Sequence, residues 1–169
     1  MNIGAISDRL EIRDVLLRYC RGVDRGITSL IVGAYHDDAI DTHGTFKGSA
    51  EQFAALCVSN FDKPNLPAQH HLTNSLIELE GDRAAVETYF LAWRPQLNEV
   101  TGEAELVQIG GRYLDQFEKR ADTWKISERV VVFDWMSEPM PLSTLDEAHG
   151  YPIGRRRDAD PSAVLFSGL

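Results

Sequence analysis

The stretch "AQHHLTNSLIELEGDRAAVETYF", residues 68–90, decides how the rest of the chain is read. Two runs rich in β-branched, aromatic and aliphatic residues flank Gly81–Asp82, a pair that marks a tight turn. The pattern predicts a long hairpin over 70–80 and 83–96. Neighbouring side chains of a strand point to opposite faces, so His70 and His71 cannot share a task. Alternation alone leaves open which of the two looks into the protein. Downstream, residues 105–118 alternate, with Val107, Ile109, Tyr113 and Phe117 on one face and Gln108, Arg112 and Gln116 on the other. Residues 124–134 read as the last strand. Upstream the period is helical. Ile12, Val15, Leu16, Tyr19 and Val23 recur at three- and four-residue steps behind a cap at Ser7, and Gly26 closes that helix with Asp24 near its end. Thr28 caps a second helix over 29–36, and 39–48 reads as a short hairpin. Ser49 with Gln52 forms a capping box for a third helix carrying Phe53, Leu56 and Cys57, and prolines make 61–69 a loop. Helices segregated from a strand meander define an α+β domain with an antiparallel sheet on three N-terminal helices. Strands this long accumulate twist, so the sheet is expected to curl around something.

At 169 residues the chain makes about one domain, and 43% hydrophobic with 25% charged residues is an ordinary globular composition. A net charge of −9 leaves no basic face for a phosphate backbone, so no nucleic-acid partner is expected. No apolar run reaches membrane-spanning length, and the first residues lack the core of a signal peptide. Cys20 and Cys57 cannot build a disulfide framework, and with the missing leader they point to the cytoplasm. The tail, "GYPIGRRRDADPSAVLFSGL", is charged and proline-bearing before an apolar end. Its arginines, flanked by Asp158 and Asp160, read as a salt-bridged turn. Residues 1–136 are read as the domain and 137–169 as an extension packing on the body or on a neighbouring subunit.

Polar groups stand out among the apolar faces: Tyr19, Asp24, Asp41, His43, His70 and Arg129. Taken singly each has a plain structural reading. Asp24 is a helix-end residue, Tyr19 a core aromatic with its hydroxyl at the edge, Arg129 a partner for Glu118 or Glu128, and Asp41 with His43 a hairpin hydrogen bond. His36, Asp37 and Asp38 look like metal ligands by type, but they end a helix and lack ligand spacing, so no metal is expected.

Four stretches, "IRDVLLRYCRGVDRG", "HDDAIDTHGTFKG", "QHHLTNSLIELEGDRAAV" and "GRYLDQFEKRADTWKISER", resemble in that order the SnoaL-like branch of the nuclear-transport-factor-2-like, or cystatin-like, superfamily. The resemblance covers residues 5–136 and implies a cone-shaped fold, a homotrimer and no metal or organic cofactor. The branch includes scytalone dehydratase, bile-acid dehydratase and hexachlorocyclohexane dehydrochlorinase. By that resemblance Asp24 and His70 match the dyad, Arg129 the pocket arginine of the last strand, and Tyr19 the tyrosine five residues before the aspartate. Asp41, His43, Phe53, Asn74, Phe90, Tyr113 and Val131 are expected around the substrate. One departure stands out. The dehydratases carry a further ionisable residue on the second long strand, where "YFLAWR" has Ala92 or Trp93.

An imidazole titrates near neutrality and can take a proton from carbon, provided a carboxylate fixes its tautomer and steadies the imidazolium. An arginine would stabilise developing negative charge, and a tyrosine would donate to a substrate oxygen. The implied function is a lyase or isomerase acting on a cyclic or aromatic small molecule by cofactor-free proton abstraction. Two other classes fit the same fold: a non-catalytic binder, and a structural subunit like the β-subunit of ring-hydroxylating dioxygenases.

Overall fold

The hairpin that anchors the reading is present in the computed structural model, which describes residues 3–62, 65–145, 148 and 150–166. Strands β3 (Gln69–Glu80) and β4 (Arg83–Leu97) pair antiparallel from Glu80↔Arg83 onward, and Gly81 takes φ +59° in the turn between them. Strands β5 (Ala104–Arg120) and β6 (Thr123–Met136) continue the meander. Before it come α1 (Ile3–Arg25), α2 (Thr28–Gly33), β1 (Tyr35–His43), β2 (Phe46–Gly48) and α3 (Ala50–Asp62). After it, β7 (Met140–Pro141) pairs with β5, and α4 (Ser162–Phe166) ends the described chain. The main sheet runs β2-β1-β6-β5-β4-β3, so the fold is α+β as the strand meander implies.

The sheet is mixed rather than wholly antiparallel, because β1 lies parallel to β6, with Asp41 beside Arg129 and His43 beside Val131. Residues 34–48 join α2 to α3, and running β1 alongside the last strand covers an edge that would otherwise be exposed. The second helix is shorter than expected, with Tyr35 and His36 already in β1, and its N-cap is Ile27 rather than Thr28. Ser7 lies inside α1, its hydroxyl bonded to Glu11 four residues on. The capping box of α3 is formed: Gln52 accepts from the Ser49 N–H at 3.0 Å, and the Ser49 hydroxyl accepts from the Gln52 N–H at 3.4 Å. That helix runs to Asp62, into the expected loop, of which residues 63 and 64 lie outside the described residues.

Register shifts explain how strands of 14 to 17 residues bend. One falls at Gly110/Gly111, where a side chain on Gly111 would meet the Val132 carbonyl and the Phe90 ring. The sheet is tightly coiled there, and only glycine lets the strands approach. Inside the curve α1 buries Ile12, Leu16, Tyr19, Cys20 and Val23 in one core with Phe90, Tyr113, Phe117, Trp124 and Ile126. Truncating a wholly buried member such as Leu16 to alanine costs about 2–5 kcal/mol.

Candidate active site

Helix α1 ends where Gly26, at φ +69°, turns the chain. Its last turn carries Asp24 to the start of β3. That strand is the sheet edge, so part of its backbone has no ladder partner, and the His70 N–H donates to Asp24 Oδ2 at 3.0 Å. The second carboxylate oxygen, Oδ1, lies 2.6 Å from His70 Nδ1. Both side chains are 13% exposed. One carboxylate therefore fixes the strand and the ring together. With Nδ1–H donating to Asp24, Nε2 keeps the free lone pair of a ring that lines the cavity. Behind Asp24, Arg156 Nη1 donates to the Val23 and Asp24 carbonyls at 3.4 Å, a cation on the negative end of the helix. The tail thus braces the turn that presents the aspartate.

The cavity measures about 330 Å³ and lies between α1, α3 and the inner face of the sheet. Tyr19, His43, Phe53, Phe90 and Tyr113 line it beside His70. They form a continuous aromatic wall: His43 stacks on Phe53 at 4.6 Å, Phe53 faces Tyr19 at 6.3 Å, Tyr19 meets Tyr113 edge-on at 5.8 Å, and Tyr113 stacks on Phe90 at 4.5 Å. Burial pushes the Tyr19 phenol well above its ordinary pKa, so it stays neutral and can donate a hydrogen bond. Burial also pushes the Cys57 thiol, in the same lining, to about 12, and that group is inert as a nucleophile. His71 sits on the other face, edge-on to Trp93 at 4.5 Å, in a groove of about 510 Å³ under the C-terminal segment. The two histidines are thus divided by the sheet.

One expected catalytic residue and three expected substrate contacts lie outside the cavity lining. Arg129 does not face the cavity; it is wholly buried behind Tyr19 and Tyr113, its guanidinium carbon 4.2 and 4.1 Å from their ring centres. Its Nε and Nη2 each donate to Asp115 at 2.7 Å, a bidentate pair that holds the arginine charged despite burial. Asp115 replaces Glu118 and Glu128 as the partner because it stands opposite Arg129 in the ladder. Asp41 is also wholly buried: Oδ2 accepts from the Tyr35 hydroxyl at 2.5 Å, and Oδ1 stands 3.7 Å from His43 Nδ1, beyond hydrogen-bonding reach. Val131 lies between Tyr113 and His43 in the ladder, and the two longer rings reach the cavity where the valine does not. Asn74 is exposed, because the register shift between Leu72 and Ser75 reverses the alternation and turns Ser75 inward, onto the Thr88 hydroxyl at 3.0 Å.

Alternation from Phe90 also brings Ala92 and Arg94 to the cavity. Arg94 is an ionisable group on the second long strand, one step beyond the position where Ala92 stands. His36, Asp37 and Asp38 belong to β1 and not to a helix end. His36 Nε2 lies 2.9 Å from the Glu118 carbonyl and Asp38 pairs with Arg120 at 2.6 Å. Among the described residues no three His, Cys, Asp or Glu side chains converge as a metal-ligand set.

The coiled sheet crossed by one long helix encloses the aromatic cavity and the carboxylate-held imidazole. Residues 4–130 match the family model described as the SnoaL-like domain, and the chain belongs to that family. Solved structures share its architecture. A structure titled as a putative scytalone dehydratase from Novosphingobium aromaticivorans superposes with TM-score 0.69 at 16% identity, over 81% of this chain and 91% of that one. Hexachlorocyclohexane dehydrochlorinase LinA-type3 from Novosphingobium barchaimii gives 0.65 at 21%, over 83% and 94%. An NTF2-like protein with a cystatin-like fold, also from N. aromaticivorans, gives 0.61 at 19%, over 78% and 85%. The chain has the cystatin-like, NTF2-like fold. None of the curated proteins matches the sequence.

Proposed function

We propose that this chain is a lyase or isomerase that removes a proton from carbon in a cyclic or aromatic small molecule, with His70 as the base and Asp24 as its orienting partner. The observation that carries the reading is the 2.6 Å contact between His70 Nδ1 and Asp24 on a ring that opens into the cavity. The free Nε2 takes the proton, and Asp24 steadies the imidazolium so formed. The electron pair left on carbon becomes the new double bond as the adjacent hydroxyl takes the proton back from the imidazolium and leaves as water, or as halide leaves and the imidazolium then loses its proton to solvent; in an isomerisation, the imidazolium returns its proton at another carbon. Tyr19 donates a hydrogen bond to a substrate oxygen. No step requires an organic cofactor or a metal.

Two of the similar structures carry the names of eliminating enzymes, a dehydratase and a dehydrochlorinase, which supports the same reaction class here. The mostly apolar lining supports a ring-shaped substrate. On the outer face of the sheet Leu76, Leu114 and Trp135 are exposed, which supports assembly as a homo-oligomer, with a trimer expected on sizing with light scattering. The function is tested on a panel of cyclic alcohols, enones and halides followed by mass spectrometry. Wild type is expected to convert at least one class and His70→Ala none. Equal conversion by both proteins would contradict the reading.

A further inference from the structure

Arg94 stands on the inner face of β4 at the cavity, a half-buried cation. Among the described residues it pairs with no carboxylate; Nη2 donates to Gln96 Oε1 at 3.2 Å, and its buried Nε has no partner. Glu105, which faces Gln96 across the β4–β5 ladder, is occupied by amides, accepting from Gln96 Nε2 at 3.3 Å and from Asn98 Nδ2 at 2.7 Å. Glu105 thus holds Gln96 and Gln96 holds Arg94, so the guanidinium is positioned without being neutralised. Burial lowers its pKa from the ordinary arginine value, a sign of unfavourable desolvation, yet arginine stays charged under working conditions. A half-buried cation given no counter-ion is partly desolvated without compensation unless something else supplies one.

The register says what that would be. His70 faces Ala92 across the β3–β4 ladder, and Arg94 is two residues further along the same face. Diagonal neighbours of this kind have Cα atoms roughly 7–8 Å apart, about the width of a small ring. We propose that the cavity takes a cyclic substrate bearing a carboxylate, which Arg94 receives through its planar fork while the ring lies along Phe90 and Tyr113 with its acidic carbon at His70. This rests on the reading of the cavity as a substrate site and adds the chemical class of the substrate. Arg94 is then a specificity-determining residue, because an uncharged amide analogue offers its fork one neutral acceptor instead of two charged ones.

Equilibrium binding by calorimetry tests this without turnover, using benzoate against benzamide and 2-naphthoate against 2-naphthamide. Wild type is expected to prefer each carboxylate by about 10–100-fold, the range of a lost charge-assisted hydrogen bond. Arg94→Gln should abolish the preference by weakening the carboxylates far more than the amides, Arg94→Lys should keep part of it, and His43→Gln should keep all of it. Equal binding of acid and amide by wild type, no carboxylate binding at concentrations of about 1 mM, or equal loss of both ligands in Arg94→Gln would overturn the proposal. So would a preference that disappears in His43→Gln and survives in Arg94→Gln. Because no reaction is measured, a failed lyase assay leaves this result standing, and turnover without carboxylate preference sinks only the role of Arg94.

Discussion

Arg129 and Arg94 project from the same face of the same sheet, and the protein treats them in opposite ways. Arg129 lies behind the aromatic wall, closed by a bidentate contact with Asp115. Arg94 lies in the wall itself, steadied by an amide and left facing the cavity. The carboxylates divide likewise. Asp115 and Asp41 are wholly or almost wholly buried and are engaged by Arg129 and Tyr35, whereas Asp24 reaches a ring that borders open space. Among the described residues, the arginine behind the wall has its counter-charge within the fold, with only Arg129 Nη1 and Asp41 Oδ1 left without a hydrogen bond there, whereas Arg94 in the wall has no counter-charge and faces the cavity. Changes behind the wall should therefore register as lost stability, and changes within it as lost binding or rate.

The largest stability effect is expected from Asp115→Asn, which strips a fully buried guanidinium of its counter-charge and should cost about 3–5 kcal/mol in urea unfolding. The comparison sharpens if Arg94→Gln leaves the unfolding midpoint where it was, and breaks if both variants shift it alike. Within the wall, Asp24→Asn keeps the shape and removes the charge that steadies the imidazolium. A fall of roughly 100-fold in kcat with KM little changed is expected for whichever substrate the panel identifies. Tyr35→Phe leaves Asp41 buried without its hydroxyl donor, and about 1–3 kcal/mol should be lost with ligand affinity unaltered.

The smallest effect lies far from both layers. Asp8 accepts from Trp124 Nε1 at 2.8 Å and from Lys119 at 3.1 Å, and the Trp124 bond, followed by Lys119, holds its carboxyl below the ordinary pKa despite some burial. A lowered folded-state pKa stabilises above the unfolded value and is lost as pH falls through the folded one. Asp8→Asn should therefore cost about 1 kcal/mol near neutrality, and the gap from wild type should close as the pH is brought below the carboxylate range.

Which parts of this were legible in the sequence follows from where each signal resides. The hairpin over 70–96 is local, a tight turn between alternating runs, and alternation separates His70 from His71; which of them faces the cavity is set by the bulge between Leu72 and Ser75 and was indicated only by the resemblance. Asn74 was misplaced because a bulge adds one residue without any mark in the composition, and every side chain beyond it changes face. Asp115 was legible in principle, two residues beyond Tyr113 in a clean alternation. Arg129 could be assigned a free charge only by leaving its ladder neighbour out of account. The same two-step rule carried from Phe90 through Ala92 reaches Arg94, which the search for an ionisable residue at Ala92 or Trp93 stopped short of. The parallel pairing of β1 with β6 joins residues more than eighty positions apart, and no local pattern announces it.

The account depends most on His70 acting as the base. The direct measurement is kcat/KM of wild type and His70→Ala on the best substrate of the panel, unlabelled and deuterated at the carbon that loses hydrogen, beside the urea midpoint of each protein. The account predicts a fall of about 10²–10⁴-fold for the variant, a slower reaction of wild type on the deuterated compound, and matching midpoints. A fall of less than about tenfold at an unchanged midpoint would contradict it.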